Sequence, residues 1–262
     1  MAVDEPPTAT AEPRTKAAVY CYGVVAATAD EPASVGVAEA HVELVRCQDL
    51  AALTSGVEST RVRARRRDLL RHSEVLAQAV ERTTVLPFRF GTVFASGDAL
   101  IDDFLAPRHD ELVRLLRQFE DCVELNVKAF YREDVVLAEI VEQDPRVARL
   151  REATQSAPPA ATYPLRVELG ERVAGALARR TRHDADELLR VLRPLALEGE
   201  IDPQPLEHQV LRASFLVARK RLRAFDKAMD ELARKHAPQI QFKYIGPLAP
   251  HSFVNLVPGE HR

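Results

Sequence analysis

Cysteine is scarce in this chain. Its three cysteines, Cys21, Cys47 and Cys122, are odd in number and show no C-x-x-C spacing. That excludes a disulfide framework and fits a reducing cytoplasm. Cys21 and Cys47 fall in strand-like runs, where a free thiol packs as a small apolar group. No stretch approaches the roughly 18 apolar residues that a membrane-crossing helix needs. The first fifteen residues lack the apolar centre of a secretory leader, so a soluble cytoplasmic protein with no membrane partner is expected. Glycine-rich phosphate loops are missing: Phe90-Gly91-Thr92 and Gly246-Pro247 hold isolated glycines. Neither an H-E-x-x-H motif nor a Cys/His pair at zinc spacing occurs, and no metal or cofactor is expected. Charge of one sign is not in excess either. The formal net charge is −3, which excludes a global basic field for nucleic acid.

What is present is a globular balance. Hydrophobic residues make up 46% and charged residues 29% of 262, enough for one large domain or two small ones. Residues 1–16, rich in alanine, threonine, proline and acids, read as a disordered tail. Strands are expected over 17–26, 41–47 and 51–57. A helix follows over 67–83, with Leu69, His72, Leu76 and Val80 lining one face. Residues 85–94 return as a strand interrupted by Pro87 and Gly91, and helices over 98–105 and 110–119 are separated by Pro107.

Val123, Leu125, Val127 and Ala129 alternate in a fresh strand over 123–131, which places a boundary near residues 119–124. Helices are expected over 134–143, 146–153, 165–180 and 185–192, then a proline-rich turn over 199–205. A strand over 209–217, a helix over 220–236 and a strand over 240–245 complete the second half. Gly246-Pro247 should end that last strand, because proline lacks the N–H a ladder needs. The simplest architecture is α+β: two units, 17–120 and 121–245, with mostly antiparallel sheets. Beyond them, residues 246–262 should form an ordered, proline-containing tail packed back on the body, since Ile245, Leu248, Phe253 and Val254 are too apolar to stay in water.

Few residues offer chemistry. His183-Asp184-Ala185-Asp186-Glu187 is read as a polar helix start with Asp184 as its cap, because consecutive residues point around a helix rather than at one ion. His72 lies on an apolar face and is read as a hydrogen-bonded packing residue. A small enzyme using His72 would need a serine or cysteine partner, and none is evident. Arg61 to Arg67 is the one dense basic run. It is read as a solvated loop and helix start, with an acidic protein partner as the functional alternative. A nucleic-acid regulator would want neighbouring aromatics, and the nearest is Phe88. Period two puts Phe88 and Phe90 on one strand face and Arg89 on the other, where it meets either a carboxylate of the chain or a partner.

Four segments carry a family resemblance. Gly246-Pro247-Leu248-Ala249-Pro250-His251-Ser252-Phe253-Val254 resembles the closing G-P-[W/L]-P-P-Y-S-F-V of the gas vesicle F/L proteins, with Ala249 for the usual proline and His251 for the usual tyrosine. Val85-Leu86-Pro87-Phe88-Arg89-Phe90-Gly91-Thr92-Val93 is similar to the same family's V-L-P-x-R-F-G-T-V. Tyr20 to Val25 and Val127 to Phe130 match in the same order, so the resemblance runs from about residue 17 to 256.

It implies a modified ferredoxin-like N-terminal α/β sandwich and a helix-rich C-terminal α+β domain. It also implies a non-enzymatic accessory or minor structural protein of the gas vesicle, binding the small hydrophobic shell protein and other accessory proteins. Candidate contacts are Arg65, Arg66, Arg67, Phe88, Arg89 and Phe90, and Gly246, Pro247, Pro250 and Phe253 form a structural motif.

Overall fold

Ala18–Ala26 forms strand β1, and its six central residues are all buried, as a strand covered on both faces requires. In this computed structural model, which describes residues 18–156, 158–203 and 208–257, β1 pairs antiparallel with β3 (Leu50–Val57). β2 (Glu43–Cys47) continues the sheet beyond β3, and β4 (Leu86–Pro87) flanks the other side of β1, giving the order β2-β3-β1-β4. A further short strand, β5 (Val93–Phe94), also pairs with β1.

Helix α1 (Arg66–Arg82) buries His72, Val75, Leu76, Ala79 and Val80. Leu69, expected on that face, is 42% exposed, and the buried residue of the first turn is Asp68. Ser96 caps α2 (Gly97–Leu100), its Oγ accepting from Ala99 N at 3.1 Å. A π turn over Ile101–Leu105 and α3 (His109–Gln118) follow.

The second sheet is built on β6 (Cys122–Tyr131), where buried and half-buried residues alternate from Leu125 onward. It pairs with β8 (Gln209–Ala218) on one side and β9 (Ile240–Leu248) on the other, and β7 (Glu198–Ile201) lies outside β8. Between β6 and β7 run α4 (Glu133–Gln143), α5 (Pro145–Gln155) and α6 (Tyr163–Leu192); α7 (Leu222–His236) joins β8 to β9. The core lies on the face of Leu125, Val127 and Ala129, with Phe215, Phe225, Leu188, Leu192 and Met229. The α+β class is thus realised as two antiparallel sheets. Of the described residues, one compact unit comprises 18–79, 87–116 and 256–257, and the other 80–86 and 117–255.

Four local expectations are corrected. Residues 165–192 form one helix without a break, so Asp184 lies inside α6 rather than capping a helix; no glycine or proline interrupts 176–192. Residues 198–201 form an edge strand rather than a turn, paired with Leu216 through Ala213. Its glycine and two glutamates carry no strand signal, yet Gly199 sits where a Cβ would come 3.2 Å from the Phe215 ring. The last strand runs through Gly246-Pro247 to Leu248, a register shift between Glu124 and Asn126 absorbing the proline. Residues 85–94 yield two-residue strands around a turn, in which Thr92 N donates to Arg89 O at 3.2 Å. The expected tail over 1–16, and residues 258–262 at the other end, lie outside the described residues.

Candidate functional site

In the first unit, the side chains of β1 and α1 meet in an aromatic nest. Tyr20 OH and His72 Nδ1 share a hydrogen bond of 2.8 Å, and Gly91 N donates to the same hydroxyl at 3.2 Å. The His72 ring stacks on Tyr22 at 5.6 Å and meets the edge of Phe90 at 5.7 Å. Tyr22 OH accepts from Val37 N at 2.7 Å and lies 3.0 Å from Ser55 Oγ, which donates to His41 O. His72 is 5% exposed, and burial drives the Tyr20 phenol far above its ordinary value. A phenol held that firmly protonated is a packing and hydrogen-bonding group.

Phe88 and Phe90 do not share a face, because the turn over 89–92 breaks the period of two. Phe90 joins the His72 nest. Phe88 is fully buried against Phe104 at 5.0 Å and Phe94 at 6.4 Å, so it supports the fold and presents nothing to a partner. Arg89 is exposed and makes no ion pair among the described residues. Arg65, Arg66 and Arg67 are exposed too, with Arg67 held 2.9 Å from Glu39. Beside them Leu69 and Leu70 are 42% and 54% exposed, and Arg61, Val62, Arg63 and Arg65 border a cavity of about 590 Å³ with Val37, Val57 and Asp68. Sequence periodicity missed this apolar pair, because a first-turn leucine at helical spacing looks like core.

In the second unit the closing motif acts as a clamp. Glu124, near the start of β6, is 2% exposed. Its Oε2 accepts from Ser252 N at 2.7 Å and its Oε1 from Ser252 Oγ at 2.8 Å. Ser252 Oγ also lies 2.9 Å from Ser214 Oγ, which donates to Asn126 Oδ1 at 2.6 Å. Gly246 (φ +156°, followed by a cis peptide to Pro247) lets the chain turn inward; a Cβ there would lie 2.5 Å from Leu125 Cδ2 and 3.0 Å from Glu124 O. Ala249, Pro250 and Val254 are buried, and Phe253 is half-buried. Ser252 and Glu124 were not singled out from sequence; the one available signal was a carboxylate inside an alternating apolar strand. Beside the clamp, on the sheet face opposite the core, lies a cavity of about 530 Å³, lined by Lys128, Arg212, His251 and Asp202 among others.

His183, Asp184 and Glu187 come together on one side of α6, their ligand atoms within 4.8 Å of one another, which corrects the view that they point apart. Their carboxylates are already compensated. Asp184 accepts from Tyr131 OH at 2.7 Å and faces Arg180, and Glu187 pairs with Lys235, which holds its carboxyl below the ordinary range. A cation would have to displace Arg180 and Lys235, so the cluster reads as an ion-pair network.

Residues 18–255 match the family described as gas vesicle synthesis protein GvpL/GvpF. The chain belongs to this family. Gas vesicle protein F of Streptomyces sp. (strain CB03234) is 34% identical over 239 residues, covering 90% of this chain and 98% of that protein. The crystal structure of GvpF from Anabaena sp. PCC7120 superposes with a TM-score of 0.76 at 21% identity, over 92% of this chain and 99% of the other. GvpF from Microcystis aeruginosa superposes at 0.73 and 19% identity, over 92% and 100%. These two share its fold. A gas vesicle role follows from GvpL/GvpF membership, and the segments that resembled the family now have physical meaning: one makes the turn that seats Phe90 and Gly91 on Tyr20 and His72, the other the Glu124 clamp. No helix among the described residues is long and apolar enough to cross a membrane.

Proposed function

We propose that this protein binds the small hydrophobic shell subunit of the gas vesicle from the cytoplasmic side, supports vesicle assembly alongside other accessory proteins, and performs no catalysis. The observation that carries the reading is the uncovered pair Leu69 and Leu70 at the start of α1, rimmed by exposed Arg65 and Arg66. Burying an exposed leucine contributes about 1.5–3 kcal/mol, and arginines at the rim meet carboxylates of an apolar partner. Exposed Arg67, paired with Glu39, and exposed Arg89 are further candidate contacts of the same unit, and Phe90 packs on His72 of the same helix. No aromatic lines the cavity beside Arg61–Arg65, which weighs against single-stranded nucleic acid as the occupant. In the same reading, residues 17–120 form a modified ferredoxin-like sandwich, supported by the strand order β2-β3-β1-β4. Residues 121–245 form a helix-rich α+β domain, on which the tail from 246 packs back.

Co-purification of the shell subunit with the tagged full-length chain tests this. Wild type should retain the subunit, and Leu69→Glu with Leu70→Glu should release it at an unchanged melting temperature. Charge reversal of Arg65, Arg66 and Arg67 should weaken retention in low salt. Failure of the wild type to retain any subunit, or full retention by the double glutamate variant, overturns the proposal.

A further inference from the structure

The described helices of the second unit pack on one face of its sheet, that of Leu125, Val127 and Ala129; Asn126 and Lys128 stand on the other face. On it the register sets Lys128 of β6 directly opposite Arg212 of β8 and directly opposite Lys243 of β9. Three cations therefore stand in a row across three strands. Like charges directly opposite on one sheet face are destabilising, and among the described residues compensation stands at one end: Arg212 faces Asp202 at 3.4 Å. Lys128 and Lys243 make no ion pair among the described residues. Glu200 lies farther along, on β7, and Glu124 is occupied by Ser252. Two residues along β6, Phe130 is half-buried on the same open face and stands outside the core cluster; on β9, Ile245 is 41% exposed.

We propose that this row is a docking surface for an acidic amphipathic helix of a partner protein, laid across the strands. Neighbouring strands are about 4.8 Å apart, and side chains three and four apart on a helix are about 5–6 Å apart. Acidic residues at i, i+4 and i+7 of such a helix fall in register with Lys243, Lys128 and Arg212. The third carboxylate shares Arg212 with Asp202. Apolar residues on the flank of the helix cover Phe130 and Ile245. The site is independent of the Leu69 and Leu70 surface, lies in the other unit, and takes a partner defined by charge spacing rather than by overall hydrophobicity.

The test uses the full-length protein and a fluorescent alanine-rich helical peptide with glutamates at i, i+4 and i+7, read by anisotropy against a peptide of the same composition with scrambled spacing. The patterned peptide should bind more tightly, and its affinity should fall with added salt. Lys128→Glu should weaken it by about tenfold, while Lys128→Arg and the Leu69→Glu, Leu70→Glu variant bind as wild type. The glutamate also relieves repulsion from Arg212 and Lys243, so Lys128→Glu should melt no lower than wild type, which separates lost recognition from lost folding. Equal binding of the scrambled peptide overturns the proposal, as does undiminished binding by Lys128→Glu. Stoichiometric displacement of the peptide by inorganic tripolyphosphate would assign the row to a small anion instead and overturn it too.

Discussion

β1 and β6 hold the same place in sheets of the same order, β2-β3-β1-β4 and β7-β8-β6-β9, yet they are treated oppositely. β1 is enclosed on both faces, with Tyr20 and Tyr22 toward His72 and Cys21 and Val24 buried on the reverse. Every polar atom it brings inside needs a partner, and the two tyrosine hydroxyls have them. The described helices of its unit cover β6 on one face. Its other face carries Asn126 and Lys128, and its one deeply buried charge, Glu124, is covered by the closing tail. The difference locates exposed chemistry. The first unit has no free sheet face on β1 and exposes its uncommitted groups at a helix start, whereas the second exposes them across a sheet.

If the two cores are independent solutions to burial, large-to-small changes should show it most strongly. Phe104→Ala and Phe225→Ala each remove an enclosed ring and should each cost about 3–5 kcal/mol in urea unfolding. Hydrogen exchange should rise first in the unit that carries the change, and equal loosening of both units by either variant would break the comparison. Gly246→Ala, confined to the second unit, should cost about 2 kcal/mol, because it forces a Cβ against Leu125 and Glu124 O at positive φ; unchanged unfolding would show that the clamp relaxes freely.

A smaller pair of changes compares the two polar devices. Tyr20→Phe strands Gly91 N and removes the His72 bond, and Ser252→Ala removes one donor to the buried Glu124; each should cost about 1–2 kcal/mol. Calorimetry showing no change for either would mean water replaces the lost partner. The smallest effect belongs to the first unit alone. His109 bonds Asp49 and Asp110, and the Asp49 carboxylate, then Asp110, raise its folded value above the ordinary 6.5. A raised value makes this contribution complete below about 6.5 and lost as pH climbs through the folded value. His109→Gln should abolish that slope, and a wild-type melting temperature flat from pH 6 to 8 would count against it.

Much of this was legible from the chain. The alternation of Val123, Leu125, Val127 and Ala129 announced the strand that became β6, and residues 17–26 read as the strand that became β1. Helices α3 and α7 fell where their spacing put them. The failures share a cause. β7 reads Glu-Gly-Glu-Ile and becomes a strand only because β8 offers it an edge. Leu69 sits at core spacing but on the first turn of α1, and nothing in its neighbours says that the covering layer ends there.

Local spacing of apolar residues is written into adjacent positions, so the chain alone determined the α+β class, most element limits and, through its motifs, the GvpL/GvpF family. Pairings between distant positions are not. Glu124 and Ser252 are 128 positions apart, and Asn126 and Ser214 are 88. Register, which a single-residue slip would reverse, set Lys128 between Arg212 and Lys243. Only the folded sheet decides such meetings, because they depend on which strands pair and where each pairing starts, and no local pattern carries that information.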